Sequence, residues 1–200
     1  MENEVDIYFN EAYAYQNYKT IKVSSFFKYQ LYAFEKIGVH RIYIQNALID
    51  IDNDVLQSKG MKIDTQFRNE PLKGLWKKHI YDHSFEAVNI KNELKDENSA
   101  TYKQIVELFK KHEGEFFPVI QNELINIIVV ESVNNRRDNN KFTGEWIIYA
   151  NQNEKKYILT FANHREGITQ KDGDNKIHSR ITKYCKGEFP FLFMETEGST

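Results

Sequence analysis

The stretch Gly144-Glu145-Trp146-Ile147-Ile148-Tyr149-Ala150, then Asn151-Gln152-Asn153-Glu154-Lys155, then Lys156-Tyr157-Ile158-Leu159-Thr160-Phe161-Ala162, decides the fold. Two runs rich in β-branched and aromatic side chains flank a polar turn, the pattern of an antiparallel hairpin. Trp146, Ile148 and Ala150 share one face of the first strand, with Tyr157, Leu159 and Phe161 available to pair on one face of the second. The opposite face, with Ile147, Tyr149 and Ile158, is apolar as well. A hairpin apolar on both faces has to be covered on both, which places it centrally in a sheet beneath helices.

Helix signals surround it. Ser24 or Ser25 caps a segment carrying Phe27, Leu31 and Phe34, with Gly38 as its stop. Ser99 opens a second, with Tyr102, Ile105, Val106 and Phe109 as one stripe. Pro118 suits the first turn of a third, with Ile120, Leu124, Ile127 and Ile128 on one face. A fourth runs from about Asn175 to Cys185, with Ile177, Ile181 and Cys185 four apart, and a weaker one spans Phe85 to Leu94. Ile42-Tyr43-Ile44 and Leu48–Ile51 read as short strands, and Val5–Phe9 and Thr20–Val23 as edges. The polar run Asn134–Lys141 reads as an exposed loop.

The expected fold is therefore α+β: a mixed, mainly antiparallel sheet with a central C-terminal hairpin (about 144–162) covered by amphipathic helices. The helices at 99–112 and 118–134 are expected to pack on that sheet. Phe34, Ile105, Phe109, Leu124, Ile128, Trp146, Ile148, Leu159 and Phe161 are the expected core. Two hundred residues without a repeat or a long linker predict a single globular domain over 1–200, with a frayed tail at 195–200.

Composition narrows the functional classes. Hydrophobic content of 40% and charged content of 28% are those of a globular chain. A net charge of −2 and a pI near 6.3 oppose binding nucleic acid through phosphate neutralisation alone. A single cysteine excludes an internal disulfide and fits a reducing compartment. The acidic start Met1–Asp6 has no apolar export core, and no run approaches the ~20 apolar residues of a membrane span. A soluble, cytoplasmic protein is expected, with no membrane association.

No Gly-rich phosphate loop, G-x-S-x-G, C-x-x-C or H-E-x-x-H is present, and no cofactor is expected. Asp50-x-Asp52-x-Asp54 resembles the start of a calcium loop but lacks its Gly and has Met61 at the twelfth position. It reads better as an exposed acidic turn. His79 and His83 would share a face if helical, but Lys77 and Lys78 stand beside His79, so no metal is expected. Cys185 lies on an apolar helical row and reads as a buried thiol.

One constellation carries chemistry. Glu145 opens the first hairpin strand, and His164 and Arg165 follow the second. Antiparallel pairing brings these positions to one end of the sheet. A carboxylate, an imidazole and a guanidinium there could act as base, acid and anion clamp in metal-independent RNA cleavage. Lys78 and His79, folded over the same end, would add charge. The bland alternative is a surface ion pair beside a turn histidine.

In residue types alone, positions 142–165 resemble the small bacterial ribonuclease toxins of the RelE and barnase-like group. The resemblance implies a helix-plus-sheet ribonuclease with RNA as partner. The acidic pI departs from that group, and nothing in the first half matches.

The competing class is a non-enzymatic binding or inhibitory protein with a protein target. Tyr8, Phe9, Tyr13, Tyr15 and Tyr18 cluster near the N-terminus among Glu4, Asp6 and Glu11, as an aromatic and acidic interface would. The simpler reading packs these rings on the domain's own sheet.

Overall fold

The computed structural model describes residues 4–13, 18–36, 41–58, 60–80, 86–114, 117–141, 145–162, 166 and 169–193. The fold is α+β around one five-stranded mixed sheet, ordered β1-β5-β4-β3-β2. The strands are β1 (Ile21–Val23), β2 (Thr65–Gln66), β3 (Trp76–Ile80), β4 (Glu145–Gln152) and β5 (Lys155–Ala162). Only β1 and β5 run parallel; the other pairs are antiparallel, and the β4–β5 hairpin is flanked by strands on both sides.

Contacts divide the chain into two compact units. The first holds Met1–Gln57, Ile63–Ile80 and Glu145–Thr200, and the second Ser58–Lys62 and Tyr81–Gly144. The excursion leaves the sheet between β3 and β4 without a Gly- or Pro-rich linker, so composition does not mark the boundary.

In the first unit the hairpin is buried on both faces. Ile147, Tyr149, Ile158 and Phe161 pack with Phe9, Tyr13, Phe27, Leu31, Ile44 and Leu48. These come from α1 (Glu4–Ala12) and its following residue, α2 (Ser25–Lys36) and α3 (Arg41–Asp52). On the other face Trp146, Ile148, Ala150, Leu159 and Ala162 meet Ile177, Ile181 and Cys185. Those three lie on α8 (Gln170–Cys185), a helix that starts five residues before the expected Asn175, where the Thr169 hydroxyl accepts from the Asp172 N–H.

A register shift divides β5. Tyr149 pairs with Ile158 but Ile148 with Thr160, so Leu159 is an extra residue on β5. The bulge moves Phe161 out of the row expected with Tyr157 and Leu159. It stacks instead on Phe27, at 4.3 Å between ring centroids, on the opposite face. Beyond Val23, β1 no longer covers β5, and side chains serve its exposed backbone groups. Ser24 Oγ and the Cys185 thiol donate to the Leu159 carbonyl, Phe161 N–H donates to Gln30 Oε1, and Arg180 donates to the Phe161 carbonyl.

Several local expectations change. Val5–Phe9 and the two proposed strands at 42–44 and 48–51 are helical, in α1 and α3. In α3 the buried residues Ile44, Ala47, Leu48 and Ile51 recur at three and four, a helical period that overrides β-branched propensity. Trp76–Ile80 is a strand, not a helix, so His79 is not on a helix face; His83 lies outside the described residues.

The helices expected on the sheet build the second unit instead. These are α4 (Glu86–Lys95), α5 (Ala100–Lys111, capped by Ser99), α6 (Phe117–Asn126), a π-helical turn (Ile127–Glu131) and α7 (Ser132–Asp138). Leu108, Ile120 and Ile127 form a buried apolar cluster in it, with Ile105 and Leu124 packed on them. Phe109, expected in the core, is 47% exposed, because α5 turns Thr101 and Leu108 inward instead. Nor is 134–141 wholly an exposed loop. It is helical through Asp138, and Arg136 is buried, with Nε donating to Asn89 Oδ1 and the guanidinium 3.6 Å from Glu93.

The hairpin turn tests the local reading. Asn153 and Glu154 both have positive φ, 52° and 60°, the conformation of a two-residue type I′ turn. Glu carries a steric cost there that Gly avoids. Glu154→Gly is expected to raise stability by ~0.5–1 kcal/mol in urea unfolding, whereas Glu154→Val is expected to lower it.

Candidate functional site

The five residues singled out at the open end of the hairpin do not form one described cluster. His164 and Arg165 lie outside the described residues. Glu145, half-buried, pairs with Ile80 at the start of β4. Lys78 and His79 are consecutive on β3, so their side chains leave opposite faces of the sheet. They cannot line one pocket.

His79 is buried beside Trp146. Its Nδ1 accepts from the indole N–H at 3.2 Å, which requires that nitrogen to be unprotonated. Lys77, on the same face, places its ammonium 4.4 Å from the Trp146 ring centroid. Around Trp146, the strand therefore offers a stacked lysine and a histidine held in the core.

Lys78 is buried on the α3 side, at 1% exposure. Its ammonium donates to the Val55 carbonyl at 2.8 Å and lies 3.3 Å from Asp64 Oδ1 and 3.9 Å from Asp50 Oδ2. Tyr149 donates to the other Asp64 oxygen at 3.3 Å. Burial pushes the Asp64 carboxyl up to about 6, against the opposing pull of Lys78. Burial and the neighbouring Asp64 also raise the Tyr149 phenol, which stays protonated and able to donate.

Above this group lies an open cleft of about 70 Å³, lined by Asp54, Asp64, Trp76, Tyr149, Asn151 and Lys156 among others. That is room for a few waters, well below the ~300 Å³ of an ordinary ligand pocket. Lys156 crosses its edge, 2.7 Å from Asp54 Oδ1 and within reach of the Asp52 carbonyl. The two lysines thus bind carbonyls just where α3 ends, and the negative end of a helix favours cations there.

Asp52 is not part of an exposed acidic turn. Its carboxylate accepts the N–H groups of Lys19, Thr20 and Ile21 at 3.0, 2.7 and 3.2 Å, tying the start of β1 to α3. Burial raises its pKa, but those donors together outweigh burial and hold it below the usual value. The cluster is an electrostatic clasp between α3 and the sheet. Asp64 has its oxygens engaged and its side chain almost wholly buried, so it does not present a base to a substrate.

At the hairpin's other end, Arg180 of α8 forms a bidentate pair with Glu166, at 2.8 and 2.9 Å. Arg180 also donates to Thr160 Oγ1 and the Phe161 carbonyl. The sequence offered no signal for Arg180, which shares a helix with apolar residues and meets Glu166 only through the tertiary fold. Asp64 and Tyr149 were equally silent. Lys78 carried one usable sign, a cation inside a strand, which asks for a buried partner. Cys185 is the buried thiol expected, its pKa raised to about 11 by burial.

No protein-family model, curated protein or solved structure matches the chain. Among the described residues no helix is long and apolar enough to cross a membrane.

The clasp carries a pH dependence. Asp64 has a folded-state pKa near 6 against 3.8 unfolded, so the folded state binds its proton more tightly. The stability this contributes is fully present below about pH 4 and is lost as pH rises through about 6. Urea unfolding between pH 4 and 7 is expected to show this loss, up to ~3 kcal/mol, and to show it reduced in Asp64→Asn. An unchanged pH profile in that variant would place the titration elsewhere.

Proposed function

We propose that this chain is a binding protein and that its contact surface is the outer face of α6 and the π turn. The observation behind this reading is a set of six large apolar side chains on the second unit. Phe109, Phe117, Val119, Ile125, Val129 and Val130 are each between 46% and 64% exposed. Residues 117–131 contain only two charged side chains, Glu123 and Glu131, and no Lys or Arg. An amphipathic surface helix turns charge outward, whereas this segment exposes large apolar side chains among amides and one glutamate, and apolar surface left bare in that way marks a contact face.

The aromatic N-terminus is not the surface in this reading. Phe9 and Tyr13 are buried, and Tyr8 and Tyr18 pack against the same core; Tyr15 lies outside the described residues. The ribonuclease reading has less behind it, because Lys78 and His79 are engaged on opposite faces of the sheet and His164 and Arg165 lie outside the described residues.

Cross-linking mass spectrometry in an extract of the native cells tests the proposal. Wild-type chain is expected to cross-link to a partner through Lys110 or Lys111. Val119→Glu/Val129→Glu is expected to lose roughly nine-tenths of that product while folding normally, since a charge buried in an apolar contact costs several kcal/mol. Equal capture by both would sink the reading. Purified chain is expected to leave a labelled RNA intact in EDTA; cleavage abolished by Glu145→Gln or His164→Ala would restore the enzyme instead.

A further inference from the structure

We infer that the partner this face is built for is a second copy of the chain, in an antiparallel contact whose two-fold axis crosses the outer face at the level of position 124. The inference rests on the binding reading above and names its occupant. The exposed row Val119, Asn122, Asn126 and Val129 is spaced three, four and three, its last step crossing the π turn. Ile125 and Val130 flank it, and all six side chains are exposed.

The row is a palindrome. About a two-fold axis at position 124, Val119 of one copy stands opposite Val129 of the other, and Asn122 opposite Asn126. Apolar residues meet apolar, and amide meets amide. A carboxamide is both donor and acceptor, so an Asn pair satisfies itself where two unlike partners would need matched groups. A buried Asn pair also fixes register, since any slip sets an amide against Val. Isologous contact demands such self-complementarity.

Charge agrees. Glu123 and Glu131 are the only charged residues from 117 to 131, while α5 ends in exposed Lys110 and Lys111 beside exposed Phe109. α5 packs along this helix through Leu108 and Ile105. Each copy thus has an apolar strip with acidic residues on it and a basic helix end beside it. Two copies can set each sign against its opposite, whereas a strongly acidic or strongly basic partner would meet repulsion from one of them.

Area sets the strength. The four large apolar side chains exposed on this face, Val119, Ile125, Val129 and Val130, leave roughly 350 Å² to cover, the size of the largest patch on many monomers. A stable interface takes about 800 Å² per partner, so the polar rim has to contribute and the dimer should be of modest affinity, roughly 1–100 µM.

Sedimentation velocity of the full chain, from about 1 to about 300 µM, reads this directly. Wild type is expected to pass from monomer to dimer within that range. Asn122→Asp/Asn126→Asp, at exposed positions, sets acid against acid and is expected to stay monomeric. In Asn122→Lys/Asn126→Asp, the introduced lysine of one copy meets the introduced aspartate of the other only in the antiparallel register. This second variant is expected to recover the dimer. A monomeric wild type, an undiminished dimer in the acidic variant, or no recovery in the lysine–aspartate variant would each overturn the proposal. A monomeric wild type whose cross-linked partner is still lost in Val119→Glu/Val129→Glu would refute the second copy and keep the binding reading.

Discussion

The β4–β5 hairpin is apolar on both faces, and the architecture of the first unit follows from that constraint. Neither face can be left to water, so α1, α2 and α3 cover one and α8 the other. The bulge at Leu159 is part of the same solution. It lets one strand send Leu159 to the α8 side and Phe161 to the α2 side, where a regular strand would send both to one. The bulged stretch lies past the end of β1, so its backbone groups need other partners. Ser24, Gln30 and Arg180 supply them, from the start of α2, its interior and α8. An unpaired buried carbonyl or N–H costs ~1–3 kcal/mol, which makes these three polar residues structural ones.

Each unit also buries a cation in a web of acceptors, and the two cases follow the same physics. Lys78 sits beneath α3 with Asp64, Asp50 and the Val55 carbonyl, and Arg136 sits in the helical unit with Glu93, Asn89 and the Lys141 carbonyl. Taking an ion out of water costs several kcal/mol, and the mutual attraction offsets this only with close geometry and extra hydrogen bonds. Both the lysine and the arginine have those extra bonds. Exchange of such a group for apolar residues is often neutral or better for stability, whereas loss of one partner alone leaves a buried charge unpaired. The raised Asp64 pKa is the trace of that cost.

What could be read in advance followed from local period and capping. The hairpin, α2, α5 with its Ser99 cap and the Cys185 row of α8 were legible because each is written within a dozen or so residues. α3 was misread as strands because Ile42-Tyr43-Ile44 favours a strand locally, while its decisive spacing from Ile44 to Ile51 spans two turns. β3 was obscured by its lysines: one stacks on Trp146 and the other is buried, and neither fate shows in an alternation of polar and apolar letters. The candidate site fared worse for the same reason. Lys78 and His79 were expected over the open end of the hairpin, and as consecutive residues of β3 they leave opposite faces of the sheet, which a reading without that strand could not show.

The helix at 118–134 shows how a correct periodicity can lead to a wrong role. Ile120, Leu124 and Ile127 do form an inward stripe, and that stripe is enough to predict a helix. It also predicts packing on the sheet, whereas the stripe packs on Leu108 and Ile105 of α5. Here Val119, Ile125, Val129 and Val130 lie outside the stripe, and the polar residues on the outward row with them are amides rather than charges. Helix formation needs only one of these faces, so the other is unexplained by folding of the second unit. A surface that folding does not require, that carries 46–64% exposure on its large apolar groups, and that repeats itself about its own centre is accounted for by contact with another surface of the same kind.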